Sequence, residues 1–253
     1  MKEIDNVTYF NINDISDMFH KKISANEIRG YFEEGKIKGK KIENKWHATQ
    51  DAIDNFMKVL SEERAVMVGP QEIDLSNLGL KGRILDIGGG GEGIIGQVKG
   101  EQVIAIDHSK RELEEAPDTG ELKIIMDAKD LQFLDNTFNT VSVFFTMMYI
   151  PIADHKKIFE EIYRVLKENG EFMLWDLIIP RKGKEKRDIY GIYLKVKIYD
   201  KIIDSGYGVL WDKEQDMKHY LDLAKEVGFE IIKKKEEKDH FFARFRKVES
   251  VKS

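Results

Sequence analysis

Ten residues, Ile84 to Gly93 (ILDIGGGGEG), constrain the fold more than any other stretch of the chain. Ile84-Leu85-Asp86-Ile87 is a short aliphatic run, the pattern of a strand buried on both faces in a parallel sheet. Four glycines follow it. Lacking Cβ atoms, they let the backbone approach a ligand closely and adopt positive φ. Ile94 to Val98 has the pattern of a following helix, whose N-terminus would point at the same spot. Strand, glycine turn and helix start together form the nucleotide cradle of an open α/β sheet.

The loop does not by itself choose a ligand. Gly88, Gly90 and Gly93 fit G-x-G-x-x-G, the dinucleotide fingerprint, and they equally fit a D-x-G-x-G loop serving a different nucleoside cofactor. The choice has to come from the segments that follow. Gln102 to Asp107 is the next strand, ending in an acid. Asp107 lies 19 residues after Gly88 (107 − 88), where ribose hydroxyls need a carboxylate acceptor. Lys123 to Asp127 is a third strand, again ending in an acid and followed by Ala128. Thr140 to Thr146 is the fourth. Asp154 opens a helix through Leu166, Asn169-Gly170 breaks it, and Phe172 to Asp176 is the fifth strand. Strands alternating with helices predict a parallel sheet.

Composition removes several chemistries. The 253 residues carry no cysteine, which excludes disulfides, thiolate catalysis and cysteine zinc sites. The six histidines show neither H-x-x-x-H nor H-E-x-x-H spacing, so no metal is expected. Charged residues make up 34 % of the chain, but the net charge is only −5, and any grip on nucleic acid would be local. The N-terminus lacks an apolar signal core, and no stretch approaches the roughly 18 apolar residues of a membrane span. The expectation is a soluble, cytoplasmic protein with no membrane contact.

Residues 1–62 read as a separate unit. Ile15, Met18 and Phe19 follow Asn13 at helical spacing. Ser24 and Glu27 form a capping box, with Ile23 and Ile28 at the hydrophobic-staple positions, and Gly35 stops that helix. Lys36 to His47 alternates around Glu43-Asn44 as a small β-hairpin. Thr49 caps a last helix carrying Ala52, Ile53, Phe56, Met57 and Leu60. The stretches NINDISDMF, SANEIRGYFEEGKIKG and KWHATQDAIDNFM resemble the winged helix-turn-helix of excisionase-type DNA-binding domains. The resemblance implies a recognition helix over Ser24–Glu34 with Asn26 and Arg29 outward. It also implies a wing whose Lys38, Lys40, Lys41 and Lys45 contact phosphates, so that DNA would dock through residues 24–47. Against it, residues 1–60 hold ten basic and ten acidic residues, hence 10 − 10 = 0 net charge. A linker is expected over 63–81, where Gly69-Pro70 and Asn77-Leu78-Gly79-Leu80 loosen the pattern.

From residue 82 onward a second resemblance covers the chain. The order ILDIGGGG, AIDHS, MDAKDLQFLDNTFNTVSVFFTMMYI and EEIYRVLKENGEFMLWD is similar to class I methyltransferases that use S-adenosylmethionine (SAM). LQFLDNTFNTV and RVLKENGEF decide against a nicotinamide dehydrogenase. Residues 221–247 resemble the family's closing helix, sixth strand and antiparallel seventh strand. The implied fold is α/β: a Rossmann-like, mostly parallel seven-stranded sheet, beside the small winged helix-turn-helix-like domain. The implied cofactor is SAM, leaving as S-adenosylhomocysteine, with no metal. By resemblance, Gly88, Gly89 and Gly90 line the methionine part and Asp86 orders the loop and accepts from the amino group. Asp107 takes the ribose hydroxyls, His108 packs beside adenine, Asp127 and Ala128 sit at the adenine edge, and Thr146 borders the sulfonium. Glu92 departs from the pattern, because many members carry a glycine there.

The methyl acceptor is less readable. A thiolate or amine needs no base, whereas a hydroxyl usually does. Tyr149 and His155, after the fourth strand, are the candidate catalytic groups on the acceptor side. Asp176, Tyr190 and Tyr193 lie near the same end. An insertion at about 180–212 holds a basic run, Arg181 to Arg187. A hairpin pattern follows, with Tyr193–Tyr199 turning at Asp204-Ser205-Gly206 into Val209–Trp211, which predicts a lid or the edge of a homodimer. A small-molecule acceptor is the leading expectation, and a DNA-binding regulator or nucleic-acid methyltransferase is the alternative.

Overall fold

The computed structural model describes residues 2–5, 7–18 and 23–248. The chain divides into two compact units, Met1–Val66 and Met67–Ser253.

The first unit runs β1 (Lys2–Ile4), β2 (Val7–Asn11), α1 (Ile12–Met18), α2 (Ala25–Glu33), β3 (Lys40–Ile42), β4 (Lys45–Thr49) and α3 (Gln50–Arg64). Its four strands form an antiparallel sheet in the order β1-β2-β4-β3. The start of α2 follows from its sequence. The Glu27 backbone N–H donates to Ser24 Oγ at 3.3 Å, and the Ser24 N–H donates to the Glu27 carboxylate at 2.9 Å. Glu43 and Asn44 both take positive φ (49° and 63°), the two-residue turn that matches strand twist in a hairpin. Ile15, Ile28, Phe32, Ile53 and Phe56 make the core. Phe19 lies outside the described residues. The β1–β2 pair was not predicted, because strands this short carry almost no periodicity.

The second unit is built on a seven-stranded sheet in the order β13-β14-β10-β9-β6-β7-β8. Its elements are β6 (Ile84–Ile87), α4 (Ile94–Lys99), β7 (Val103–Asp107), α5 (Lys110–Glu115), β8 (Leu122–Ile125), β9 (Phe138–Phe144), α6 (Ile152–Val165), β10 (Leu166–Leu177), α7 (Met217–Val227), β13 (Phe229–Glu236) and β14 (His240–Lys247). Strands β6 to β10 pair in parallel, and β14 runs antiparallel to both neighbours. The main core lies between this sheet and α6 and α7, where Phe138, Phe159, Phe172, Tyr220, Phe241 and Phe245 are buried. Each such side chain contributes roughly 1.5–3 kcal/mol of burial. No helix among the described residues is long and apolar enough to cross a membrane.

A second, three-stranded sheet has the order β12-β11-β5, with β5 at Ala65–Asp74, β11 at Ile189–Ile198 and β12 at Lys201–Leu210. Along β11, Tyr190, Ile192, Leu194, Val196 and Ile198 are buried while the residues between them alternate outward from Tyr193 on. That alternation is what one packed face requires. Two expectations are corrected here. The stretch 63–81, expected as linker, contains β5, because Gly69-Pro70 interrupts its pattern without ending the strand. The hairpin turns at Tyr199-Asp200, not at Asp204-Ser205-Gly206. Tyr199 takes φ 52°, and Asp204, Ser205 and Gly206 pair inside β12 with Lys195, Leu194 and Tyr193.

Candidate functional site

The carboxyl ends of β6, β7 and β9 meet at the glycine loop, and backbone hydrogen bonds hold that loop. Gly88 and Gly89 N–H both donate to the Ile106 carbonyl (2.8 and 3.1 Å), and Gly91 N–H donates to Glu112 O of α5 (2.8 Å). Gly88 has φ +74°, and a Cβ there would collide with the Thr146 side chain. A Cβ at Gly90 would lie 3.1 Å from Asp107 Oδ2. The loop therefore passes between Asp107 and Thr146 without side chains of its own, which only glycine allows. The following helix α4 is short, and Gly93, at φ 55°, gives it no side-chain cap.

Asp86 lies beneath this loop, 3 % exposed, and accepts from Ser142 Oγ at 2.8 Å. Burial pushes its carboxyl up to about 7, against the Ser142 hydrogen bond and with the like charges of Asp107 and Glu121 adding to the rise. Asp107 ends β7 and accepts from the Ser109 N–H at 2.8 Å through one oxygen. Its other oxygen faces Gly90. His108 is on the surface, its side chain 87 % exposed. Met126 N–H donates to Asp107 O at 2.9 Å, which brings the 126–128 segment beside that strand end. Strand β8 stops at Ile125, so Asp127 stands in the loop after it and accepts from Lys129 N–H at 2.9 Å. Ala128 packs against the core. Strand β9 likewise stops at Phe144, and Thr146 opens a single 3-10 turn, Met147–Tyr149, donating back to Phe144 O at 3.2 Å.

The two candidate catalytic groups separate. Tyr149 stands at this end of the sheet, 44 % exposed. Its hydroxyl is nevertheless in a solvent-poor recess. Burial holds it well above the usual phenol range, Gly208 N–H donates to it, and the charges bearing on it are Asp176, Glu92 and Glu112. His155 is turned inward, a correction to its expected place. It is 1 % exposed and packed between α6 and α7. Its Nε2–H donates to Ile150 O (3.1 Å), which leaves Nδ1 to accept from His219 Nε2–H (3.0 Å). Burial, His219 and Lys213 lower its pKa to about 4, so it is neutral and enclosed. A histidine at the fourth position of an amphipathic helix reads alike whether it faces ligand or core, which is why the sequence misplaced it.

Asp176 is fully buried and accepts from Leu177 N–H (2.7 Å), Met148 N–H (3.1 Å) and Gln215 Nε2 (3.0 Å). Burial raises its carboxyl to about 7. With its oxygens so engaged, it orients the turn that carries Tyr149. Sequence reasoning also missed what covers the loop. Glu92 accepts from Ser205 Oγ (2.7 Å) and Tyr207 Oη (3.2 Å), both on β12. The Tyr207 ring stacks on Phe145 with centroids 5.3 Å apart and planes 8° from parallel. The departure of Glu92 from glycine was the available signal. Among the described residues no group of three or more His, Cys, Asp or Glu side chains is placed to hold a metal.

A seven-stranded sheet with one antiparallel strand, and a side-chain-free loop against a strand-end carboxylate, define a class I methyltransferase fold. The comparisons agree. Residues 85–174 match the family model described as a methyltransferase domain. A demethylmenaquinone methyltransferase of Thermotoga maritima is 31 % identical over 97 residues, covering 37 % of this chain and 41 % of that protein. A sterol 4-C-methyltransferase of Caenorhabditis elegans is 38 % identical over 55 residues, covering 22 % of this chain and 16 % of that protein. The chain thus matches less than half the length of these curated relatives. Among solved structures, a SAM-dependent methyltransferase of Methanosarcina mazei superposes with TM-score 0.52 at 17 % identity, over 70 % of this chain and 99 % of that one. A putative one of Listeria monocytogenes gives 0.50 at 17 % identity, over 67 % and 92 %. Residues 85–174 of the α/β unit are thus similar to a methyltransferase domain, on the fold that the solved structures share.

Proposed function

We propose that the α/β unit is a SAM-dependent methyltransferase acting on a small-molecule acceptor and releasing S-adenosylhomocysteine. The observation that carries this reading is the glycine loop, bare of side chains, running between the Asp107 carboxylate and Thr146. The donor set fits the cofactor: Gly88 to Gly90 offer backbone against the methionine part, and Asp86 accepts from its amino group. Asp107 accepts from the ribose hydroxyls. Asp127, Ala128 and the exposed His108 flank adenine, and Thr146 borders the sulfonium. When bound, SAM supplies an electrophilic methyl, and the reaction is an in-line displacement. The chain's part is to hold the acceptor atom at about 3 Å on that line. Tyr149 keeps its proton at neutral pH, so it serves as a hydrogen-bond donor and wall, not as a base. The curated relatives, named for demethylmenaquinone and sterol methylation, support a small-molecule acceptor.

Calorimetric titration with SAM and with NAD, repeated on Asp107→Ala, tests the reading. Saturable SAM binding that the substitution weakens about 100-fold or more is expected, since two hydrogen bonds to a charged group are worth roughly 1.5–3 kcal/mol each. NAD binding in place of SAM would overturn it.

For the first unit we infer a winged helix-turn-helix docking on DNA through residues 24–47. Asn26 and Arg29 stand exposed on α2, and Lys38, Lys40, Lys41 and Lys45 are exposed on and beside the wing. A groove of about 310 Å³ is lined by Arg29, Asn44, Lys45 and Trp46. Duplex binding by the whole protein that survives Lys40→Ala with Lys41→Ala would count against any such role.

A further inference from the structure

Strand β12 is an edge of its three-stranded sheet, and three of its residues, Ser205, Tyr207 and Gly208, are tied down on both sides of Thr146. On one side Ser205 and Tyr207 donate to Glu92 of the glycine loop. On the other, the Gly208 N–H donates to the hydroxyl of Tyr149, in the turn that Thr146 opens. Lys201 adds a bond to Gln97 of α4 at 2.6 Å. Between these ties, Tyr207 lies flat on Phe145 and edge-on to Phe144 at 6.3 Å. An edge strand fixed in this way spans the gap between the loop and the turn, so it covers the place where a methyl group would be handed over.

We propose that β12 is the roof of the acceptor site, that Tyr207 and Tyr149 are its specificity-determining walls, that Glu92 is the positioning residue for Tyr207, and that the acceptor is planar and not anionic. The proposal rests on the SAM reading of the loop. Planarity follows from the walls, because stacked aromatic rings favour a flat guest at offset or edge geometry. The charge follows from what surrounds them. Glu92, Glu112 and Asp176 are the charges bearing on Tyr149, and Glu92 bears on Tyr207. The half-buried cation Lys213 is tied to the Ile150 carbonyl at 2.9 Å. In the basic run, Arg187 pairs with Glu185 at 2.8 Å. An anionic acceptor between the two tyrosines would meet the charges of Glu92 and Glu112, while the Lys213 charge bears on Asp176; an amine or a neutral ring would meet no like charge there.

The test is calorimetric binding to the whole protein saturated with S-adenosylhomocysteine, using a matched pair of probes, 2-naphthylmethylamine and 2-naphthylacetate. The amine is expected to bind saturably and the acid at least about tenfold more weakly. Tyr207→Ala should weaken the amine about tenfold, the loss of one stacked and hydrogen-bonded contact, with S-adenosylhomocysteine affinity changed less than threefold or so. Glu92→Ala should weaken it similarly and speed trypsin cleavage within β11–β12. Glu92→Gln, which keeps an acceptor oxygen for Tyr207, should restore most of both. Equal or tighter binding of the acid, no binding of either probe to the loaded protein, or indifference of the amine to Tyr207→Ala overturns the roof. If Asp107→Ala leaves S-adenosylhomocysteine binding unchanged, the cofactor reading itself falls, and the two failures are told apart.

Discussion

The floor and the roof of this site are built from different materials. The floor is backbone: Gly88 and Gly89 hang from the Ile106 carbonyl, and the run Gly88 to Gly91 has no side chain to offer. The roof is side chains: Ser205 and Tyr207 on a carboxylate, and a ring on a ring. Backbone geometry tolerates almost no substitution, because a wrong residue there strains φ and collides at once. A side-chain roof can be retailored residue by residue without disturbing the sheet beneath it. The difference implies that cofactor choice is fixed in the floor and acceptor choice is adjustable in the roof.

The sharpest way to break this contrast is Gly88→Val. A β-branched residue at φ +74° is strained in any surroundings, and here its branches would enter the space of Thr146. SAM affinity should fall more than about 100-fold, while far-ultraviolet circular dichroism keeps its shape, the strain being of order 1–3 kcal/mol locally. Retained affinity would mean that the loop does not hold the cofactor.

A smaller effect concerns the charge buried in the floor. The carboxyl of Asp86, near 3.8 in the unfolded chain and about 7 in the folded one, is favoured in its neutral form by folding. Its contribution is complete below the unfolded value and is lost as pH rises through about 7. Without cofactor, Tm should therefore drop as pH goes from about 4 to 8, and Asp86→Asn should flatten that slope, gaining most at pH 8. Asp176, raised in the same way, keeps part of the slope in the variant. His155 acts in the opposite sense, losing its contribution as pH falls from 6.5 towards its lowered value of about 4. A Tm profile of Asp86→Asn identical to wild type would deny Asp86 its buried, neutral state.

The same division explains what could be read in the sequence. The α/β order, the glycine loop and Asp107 were legible because buried parallel strands and glycine turns each demand a residue type at a spacing. The Ser24–Glu27 cap was legible for the same reason. The roof was not. Asp204-Ser205-Gly206 looks like a turn, yet it lies within β12, because Tyr199, directly after the buried Ile198, adopts positive φ and takes the reversal. Once that turn is misplaced by a few residues, no pattern reveals that Tyr207 meets Phe145 or that Glu92 has partners 113 and 115 positions away. The inward course of His155 was hidden likewise, since His219, 64 residues on, is what holds it.

The finest test sets one hydroxyl against another. Ser142 donates to Asp86 at 2.8 Å in the floor, and Ser205 donates to Glu92 at 2.7 Å in the roof. The bonds are chemically alike and nearly equal in length. Ser142 and Asp86 are both buried, however, while Ser205 and Glu92 are only partly so. Ser142→Ala leaves Asp86 without its side-chain donor where water does not reach, which costs about 1–3 kcal/mol and drives the Asp86 pKa higher still. Ser205→Ala leaves Glu92 the Tyr207 hydroxyl and access to water, so roughly 0.5–1 kcal/mol is lost, a two- to fivefold loosening of the roof. Denaturant midpoints of the two variants should differ in that order. Hydrogen exchange should quicken in β12 for Ser205→Ala alone. Equal midpoints would mean that the floor and roof are equally dry, and that the contrast between a rigid cofactor floor and an adjustable acceptor roof does not hold.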